Sequence, residues 1–210
     1  MIEKFHYLTQ DIEHFSHQEL IELACINGIQ SIQLRVKNKT ITEYLSIARD
    51  ARTITSKYNV TLIINDNVDI ALDVDADGVH LGLNDMPIVQ ARKILGNDKI
   101  IGATANNIEN IRNAYIDGAN YIGLGPYQFT STKQNLSSII GIDGYKNILD
   151  QMKIEKIDIP IIAIGGIKVE DVEKILATGV YGIAISSALH YNQFFESNLE
   201  KFKAIKQLDI

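Results

Sequence analysis

Short apolar runs alternate along this chain with longer stretches in which apolar residues recur every three to four positions. The runs are Phe5–Thr9, Ser31–Arg35, Thr61–Asn65, Gly78–Leu81, Ile100–Ala103, Tyr121–Gly125, Ile161–Ile164 and Gly182–Ser186, and they predict eight strands. The clearest helical stretch is Ile41–Tyr58, with its stripe at Ile41, Tyr44, Leu45, Ala48, Ala51, Arg52 and Ile54. Further helices are expected to begin near Pro87, Ile108, Asp143, Val169 and Gln193. Pro87 suits an early helical position, where its missing N–H costs nothing. Runs such as Ile161-Ile162-Ala163-Ile164 are apolar at every position, as parallel strands covered on both faces are. Strands alternating with helices are compatible with a closed barrel or an open doubly wound sheet. The count of eight, and the polar residues that recur just past the strand ends, favour the barrel. The fold expected is α/β, a single (β/α)8 TIM-barrel domain over residues 1–210, near the lower size limit of that fold.

Composition narrows the class without changing the fold. Apolar residues make up 46% and charged residues 22%, with three prolines and fourteen glycines, a profile of a folded globular chain. No apolar run reaches the roughly 18–20 residues that span a bilayer, so no membrane role is expected. The start, Met1-Ile2-Glu3-Lys4-Phe5-His6, lacks the basic-then-apolar layout of a signal peptide, and a cytoplasmic location is the expectation. The lone Cys25, in Leu23-Ala24-Cys25-Ile26, excludes an internal disulfide framework and reads as part of a buried helix face. A net charge of −6 without a basic stripe argues against nucleic acid as a partner, though not against a locally positive pocket for a small phosphorylated ligand. The outer helix faces of a barrel leave a homodimer open.

In this fold the active site lies at the carboxyl ends of the strands. The second strand ends in Gln33-Leu34-Arg35-Val36-Lys37, where alternation turns Gln33, Arg35 and Lys37 to one side. A guanidinium and an ammonium there suit an anion such as pyrophosphate, or equally a salt bridge at the rim. The third strand ends in Asn65-Asp66 and the fourth is followed by Asp85. Two carboxylates on adjacent strand ends suit one Mg²⁺, while helix capping by each is the simpler alternative. His80, inside a strand, is expected to pack through hydrogen bonds rather than act as a base. Thr104 follows the fifth strand. The polar stretch after the sixth strand, Thr130-Ser131-Thr132-Lys133, has the composition of a phosphate-binding lid. Gly165-Gly166 after the seventh strand and Ser186-Ser187 after the eighth fall where this fold recurrently binds phosphate.

Read together, these segments resemble the thiamine phosphate synthase family over nearly the whole chain. The resemblance rests on Gln33–Lys37, Leu62–Asp66, Ala76–Gly82, Asp85-Met86-Pro87, Tyr121–Pro126, Thr130–Lys133 and Ala163–Ile167. It implies coupling of a hydroxymethylpyrimidine diphosphate to a thiazole phosphate, or its carboxylated form, with release of pyrophosphate. It also implies that Arg35, Lys37 and Asn65 bind the diphosphate and that Asp66 and Asp85 hold Mg²⁺. By the same match Thr104 lies near the pyrimidine, and Gln33, Leu34 and Val36 belong to the substrate-binding segment. Thr130, Ser131, Thr132 and Lys133 match the family's flexible loop, with Lys133 reaching the diphosphate and the hydroxyls facing the thiazole side, and Gly166, Ser186 and Ser187 take the thiazole phosphate. Arg35, Lys37 and Lys133 would then stabilise the departing pyrophosphate, in a dissociative step whose pyrimidine methylene cation the thiazole nitrogen captures. Two positions depart from the family pattern: Val36 where an acid is common, and Asn106 where a histidine is common. The rival expectations are a thiazole tautomerase, which needs no magnesium–diphosphate apparatus, and a non-catalytic phosphate-binding regulatory barrel.

Overall fold

A computed structural model of the chain describes residues 1–129, 138–190, 194–208 and 210. Its strands are β1 (Phe5–Leu8), β2 (Ser31–Leu34), β3 (Thr61–Asn65), β4 (Gly78–Leu81), β5 (Ile100–Ala105), β6 (Tyr121–Leu124), β7 (Ile161–Ile164) and β8 (Gly182–Ile185). Each pairs in parallel with its sequence neighbour, and β8 closes on β1, giving one barrel in the order β1 to β8. The helices are α1 (His17–Ile26), α2 (Ile41–Tyr58), α3 (Val68–Asp73), α4 (Ile88–Leu95), α5 (Ile108–Ile116), α6 (Gly141–Glu155), α7 (Val172–Leu176), α8 (Ser187–His190) and α9 (Phe195–Lys203). The (β/α)8 architecture read from the alternation is the one observed.

Local chemistry sets several boundaries. Ser16 and Thr40 each accept a backbone N–H three residues on, while Glu19 and Glu43 reach back, so α1 and α2 both open on reciprocal capping boxes. Asn59 ends α2 in the left-handed conformation. Pro87 stands at the cap of α4 rather than within its first turn, and the helix runs from Ile88. On α2 the buried face is Tyr44, Ala48, Ala51 and Thr55, whereas Ile41 is exposed and Arg52 turns aside to pair with Asp77 at 2.8 Å. Cys25 lies buried on α1, as its apolar neighbours predict.

The period of two along each strand divides the core in two. Ile32, Leu34, Leu62, Ile64, Val79, Ile101, Ile122, Leu124 and Ile183 point outward and meet the helices in one large apolar layer. Burying side chains of that size contributes ~1.5–3 kcal/mol each, which makes this layer the main support of the fold. Leu8, Tyr121, Ile162 and Ala184 form a second, smaller cluster inside the barrel. The lumen also holds His6, Gln33 and His80, all buried. Such polar content departs from the Val, Ile and Leu that usually fill this space.

Candidate active site

The carboxyl ends of β2, β3 and β4 bring the expected cations and carboxylates together. Gln33 is inside the barrel, and Arg35 and Lys37 follow it at the rim, half-buried. Leu34 and Val36 belong to the outer apolar layer, so any contact they make with a ligand is through their backbone. The Arg35–Lys37 segment is held by the loop after β1. Thr9 Oγ1 accepts the Arg35 N–H at 3.1 Å, and Asp11 Oδ2 accepts the Lys37 N–H at 3.0 Å. His17 in turn contacts both anchors, Nδ1 to Thr9 Oγ1 at 2.9 Å and Nε2 to Asp11 Oδ1 at 3.1 Å. Sequence reading missed this clamp, because its partners lie 26 residues from the segment they hold.

Asn65 ends β3 in a buried position, and its carbonyl accepts the Tyr44 hydroxyl at 3.0 Å. Asp66 follows with φ 65°, in the left-handed region that non-glycine residues seldom adopt. That conformation is stored at functional positions more often than elsewhere. The helix-capping alternative fails for both acids. Asn67, not Asp66, caps α3 by accepting the Ile70 N–H at 2.9 Å, and α4 has no side-chain cap at all. Asp66 instead accepts the Lys37 ammonium at 2.6 Å. Asp85 folds back to accept the Gly82 N–H at 2.6 Å, an approach that the absent Cβ of Gly82 leaves open.

The two carboxyl groups lie within hydrogen-bonding reach of each other, and their titrations are driven apart. Burial opposes the charge on Asp66, but the Lys37 hydrogen bond and charge, with help from Asp85 and His80, hold it below the usual carboxylate range. Asp85 is pushed up by burial and then by the negative charge of Asp66, despite its bond to Gly82. Two crowded carboxylates, with the Lys37 ammonium bonded to Asp66, form an oxygen donor set with spare negative charge. Mg²⁺ suits such a set, since it takes one or two carboxylates and fills its other positions with water and phosphate. Among the described residues no group of three or more His, Cys, Asp or Glu side chains forms a closed metal cage.

Across the mouth, Thr104 near the end of β5 is half-buried, its hydroxyl 3.0 Å from His80 Nε2. His80 Nδ1 is 3.0 Å from the Tyr121 hydroxyl, so the ring is packed and hydrogen-bonded as expected. Gly165 and Gly166 both adopt positive φ, 101° and 71°. A Cβ on Gly166 would stand 2.6 Å from the Phe129 carbonyl oxygen, so the turn after β7 supports the chain leaving β6. Gln128 ties the two together by donating to the Gly166 carbonyl at 2.5 Å and to Asp171 at 3.1 Å. Ser186 is half-buried and donates to Gln10 at 3.3 Å, while Ser187 is exposed at the start of the one-turn α8. Thr130, Ser131, Thr132 and Lys133 lie outside the described residues.

Comparison with known proteins settles the lineage. Residues 7–189 match the family model described as thiamine monophosphate synthase. The chain belongs to that family. A thiamine-phosphate synthase of Flavobacterium psychrophilum is 44% identical over 209 residues, covering 100% of this chain and 98% of the relative. One from Clostridium novyi is 48% identical over 174 residues, covering 83% of each. Among solved structures, a thiamine phosphate pyrophosphorylase from Pyrococcus furiosus superimposes with a TM-score of 0.83 at 34% identity, covering 98% of this chain and 95% of that one. Membership of the thiamine monophosphate synthase family makes the chain a transferase of thiamine biosynthesis. Among the described residues, no helix is long and apolar enough to cross a membrane.

Proposed function

We propose that this enzyme joins a hydroxymethylpyrimidine diphosphate to a thiazole phosphate, forming thiamine phosphate and releasing pyrophosphate with Mg²⁺ bound at Asp66 and Asp85. The observation that carries the reading is the crowding of those two carboxylates beside Lys37 at the ends of β3 and β4. A thiazole tautomerase has no use for that arrangement, and a non-catalytic barrel leaves it unexplained.

The residues divide the work by charge. Arg35 and Lys37 hold the donor's diphosphate from the β2 side, Asn65 offers its amide beside them, and Lys133 joins them, as the family resemblance implies. Gln33 and Thr104 face the pyrimidine, Gly166, Ser186 and Ser187 take the acceptor's phosphate, and the family resemblance assigns Thr130, Ser131 and Thr132 to the thiazole. Mg²⁺ supplies charge neutralisation on the diphosphate oxygens. In the reaction the methylene–oxygen bond breaks with its electron pair leaving on pyrophosphate, and the thiazole nitrogen lone pair forms the new C–N bond. A carboxylated thiazole also loses CO₂, and the carbon left holding that electron pair takes one proton from water. The coupling step itself moves no proton, so it requires no nucleophile–base pair. Holding both fragments in line supplies most of the catalysis, since well-oriented reactants save up to ~7–11 kcal/mol of barrier. Fixed cations around the leaving group add electrostatic stabilisation.

Omission of each component tests the reading. Pyrophosphate should appear only when both substrates and Mg²⁺ are present. Isomerisation of a thiazole carboxylate phosphate without any pyrophosphate would favour the tautomerase instead.

A further inference from the structure

The two cations assigned to the donor's diphosphate stand on a stretch of chain that has left its strand. β2 ends at Leu34, and just before that end the Thr9 N–H donates to the Gln33 carbonyl at 3.0 Å. A parallel ladder continued from there would send the Arg35 and Lys37 N–H groups to the carbonyls of Thr9 and Asp11. They go instead to the side chains of the same two residues, Arg35 N–H to Thr9 Oγ1 at 3.1 Å and Lys37 N–H to Asp11 Oδ2 at 3.0 Å. Side chains thus replace the ladder over the residues that carry the guanidinium and the ammonium. A side chain makes a looser rail than a backbone, because it can turn to another rotamer.

His17 removes that freedom. It is the first residue of α1, whose start is fixed by the capping box of Ser16 and Glu19. Its ring is buried and reaches both side chains, Nδ1 2.9 Å from Thr9 Oγ1 and Nε2 3.1 Å from Asp11 Oδ1. A carboxylate only accepts, so Nε2 donates to Asp11. A hydroxyl both donates and accepts, so the contact with Thr9 needs no particular tautomer. Each Asp11 oxygen then has its own partner, Oδ1 the imidazole and Oδ2 the Lys37 N–H. Asp11 also places a carboxylate beside a segment meant for an anion, where charge alone would weaken binding. Its value there is geometric.

We propose that His17 and Asp11 are positioning residues for the donor's diphosphate, holding the Arg35–Lys37 backbone so that guanidinium and ammonium meet the ligand together. The proposal rests on the assignment of Arg35 and Lys37 to the diphosphate made above. Both residues act on the β2 side, so their loss falls on the donor substrate rather than on the thiazole phosphate. A misplacement of about 1 Å costs up to ~100-fold, so loosening this backbone has a large effect without removing any charge from the ligand's contacts.

Two measurements on the full chain test this. Calorimetric titration of inorganic pyrophosphate in Mg²⁺ buffer reads the site without turnover, and steady-state kinetics read the KM of each substrate. The variants are Asp11→Ala, His17→Phe, which keeps a ring without its hydrogen bonds, and His17→Gln, which restores a donor towards Asp11. Asp11→Ala and His17→Phe should each weaken pyrophosphate binding and raise the KM for pyrimidine diphosphate at least about tenfold, with the KM for thiazole phosphate within about threefold of the wild type. His17→Gln should recover most of the loss. Unchanged or tighter pyrophosphate binding in Asp11→Ala, the direction that charge alone predicts, overturns the proposal. An equal rise in both KM values overturns it as well, since that marks a general loosening of the fold. Should His17→Phe not fold, Asp11→Ala at its exposed position decides alone. A wild type that forms no thiamine phosphate refutes the proposed function, and the pyrophosphate titration then decides the clamp. A wild type that does not bind pyrophosphate refutes the clamp too.

Discussion

Asp85→Asn separates what the carboxylate pair does for the reaction from what it does for the fold. Asparagine keeps the size and one oxygen of aspartate, so the Gly82 N–H that Asp85 accepts at 2.6 Å retains a partner. Exchanging a charge-assisted bond for a neutral one costs about 1 kcal/mol. Against that, the variant removes the repulsion from Asp66, which adds to burial in pushing the Asp85 carboxyl up. Two like charges 4 Å apart repel by about 4 kcal/mol at an effective dielectric of 20 and by about 1 kcal/mol in water. The Asp66 side chain is 34% exposed, which puts the relief near the lower figure. The two effects offset, so stability should stay within ~1 kcal/mol of the wild type. Turnover should behave quite differently. Loss of a ligand to an ion that neutralises developing charge is comparable to loss of an oxyanion donor, ~100- to 1,000-fold in kcat. Denaturant unfolding in metal-free buffer and thiamine phosphate formation across a Mg²⁺ titration read the two quantities. Activity within threefold of the wild type at every Mg²⁺ concentration would refute the role given to Asp85. Loss of the fold would refute the offset argument.

Three further outcomes follow from the same structure. Lys133→Ala should suppress turnover at least ~100-fold with an unchanged melting temperature, and full activity would remove Lys133 from the diphosphate site. Burial, opposed by a bond to the Glu3 carbonyl, lowers His6 to about 4 from 6.5, so the unfolded chain binds a proton that the folded chain does not. Stability should therefore fall as the pH drops from 6.5 towards 4, by up to ~3 kcal/mol from this group, and the fall should be smaller in His6→Gln; equal losses would refute the assignment. Burial, with a smaller contribution from the Glu22 charge, raises the Cys25 thiol to about 11. Iodoacetamide at pH 8 should leave the native protein unmodified and alkylate it once unfolded, and rapid native labelling would contradict the buried placement.

Fold class was legible because the strongest signals here are local. β3, β4 and β7 run over the residues where their apolar runs lie, and α2 is bounded by a capping box and a left-handed asparagine. α1 has an equally readable box at Ser16 and Glu19, but its apolar stripe is weak and it was located only through the buried Cys25 face. Beyond Val169 the chain makes a short 3₁₀ turn before α7 begins at Val172, a change of winding that hydrophobic period does not register. Legibility of the site followed the same division. Lys37, Asp66 and Asp85 announce themselves as charges just past apolar runs, and the fold decides whether such acids cap helices or face each other. The partners that Asp66 and Asp85 take lie 29 and three residues away. The Thr9–Asp11–His17 clamp and the Tyr121–His80 pair were not legible. Glycines at 102 and 123 mark a close approach within a strand, but not the ring that makes it.

The central claim is tested most directly by following a single reaction mixture of purified protein, pyrimidine diphosphate, thiazole phosphate and Mg²⁺. Thiamine phosphate and pyrophosphate should accumulate in equal amounts as the pyrimidine diphosphate disappears, and chelation of Mg²⁺ should stop both. Consumption of neither substrate, or thiamine phosphate forming at an undiminished rate with the metal chelated, would contradict the account.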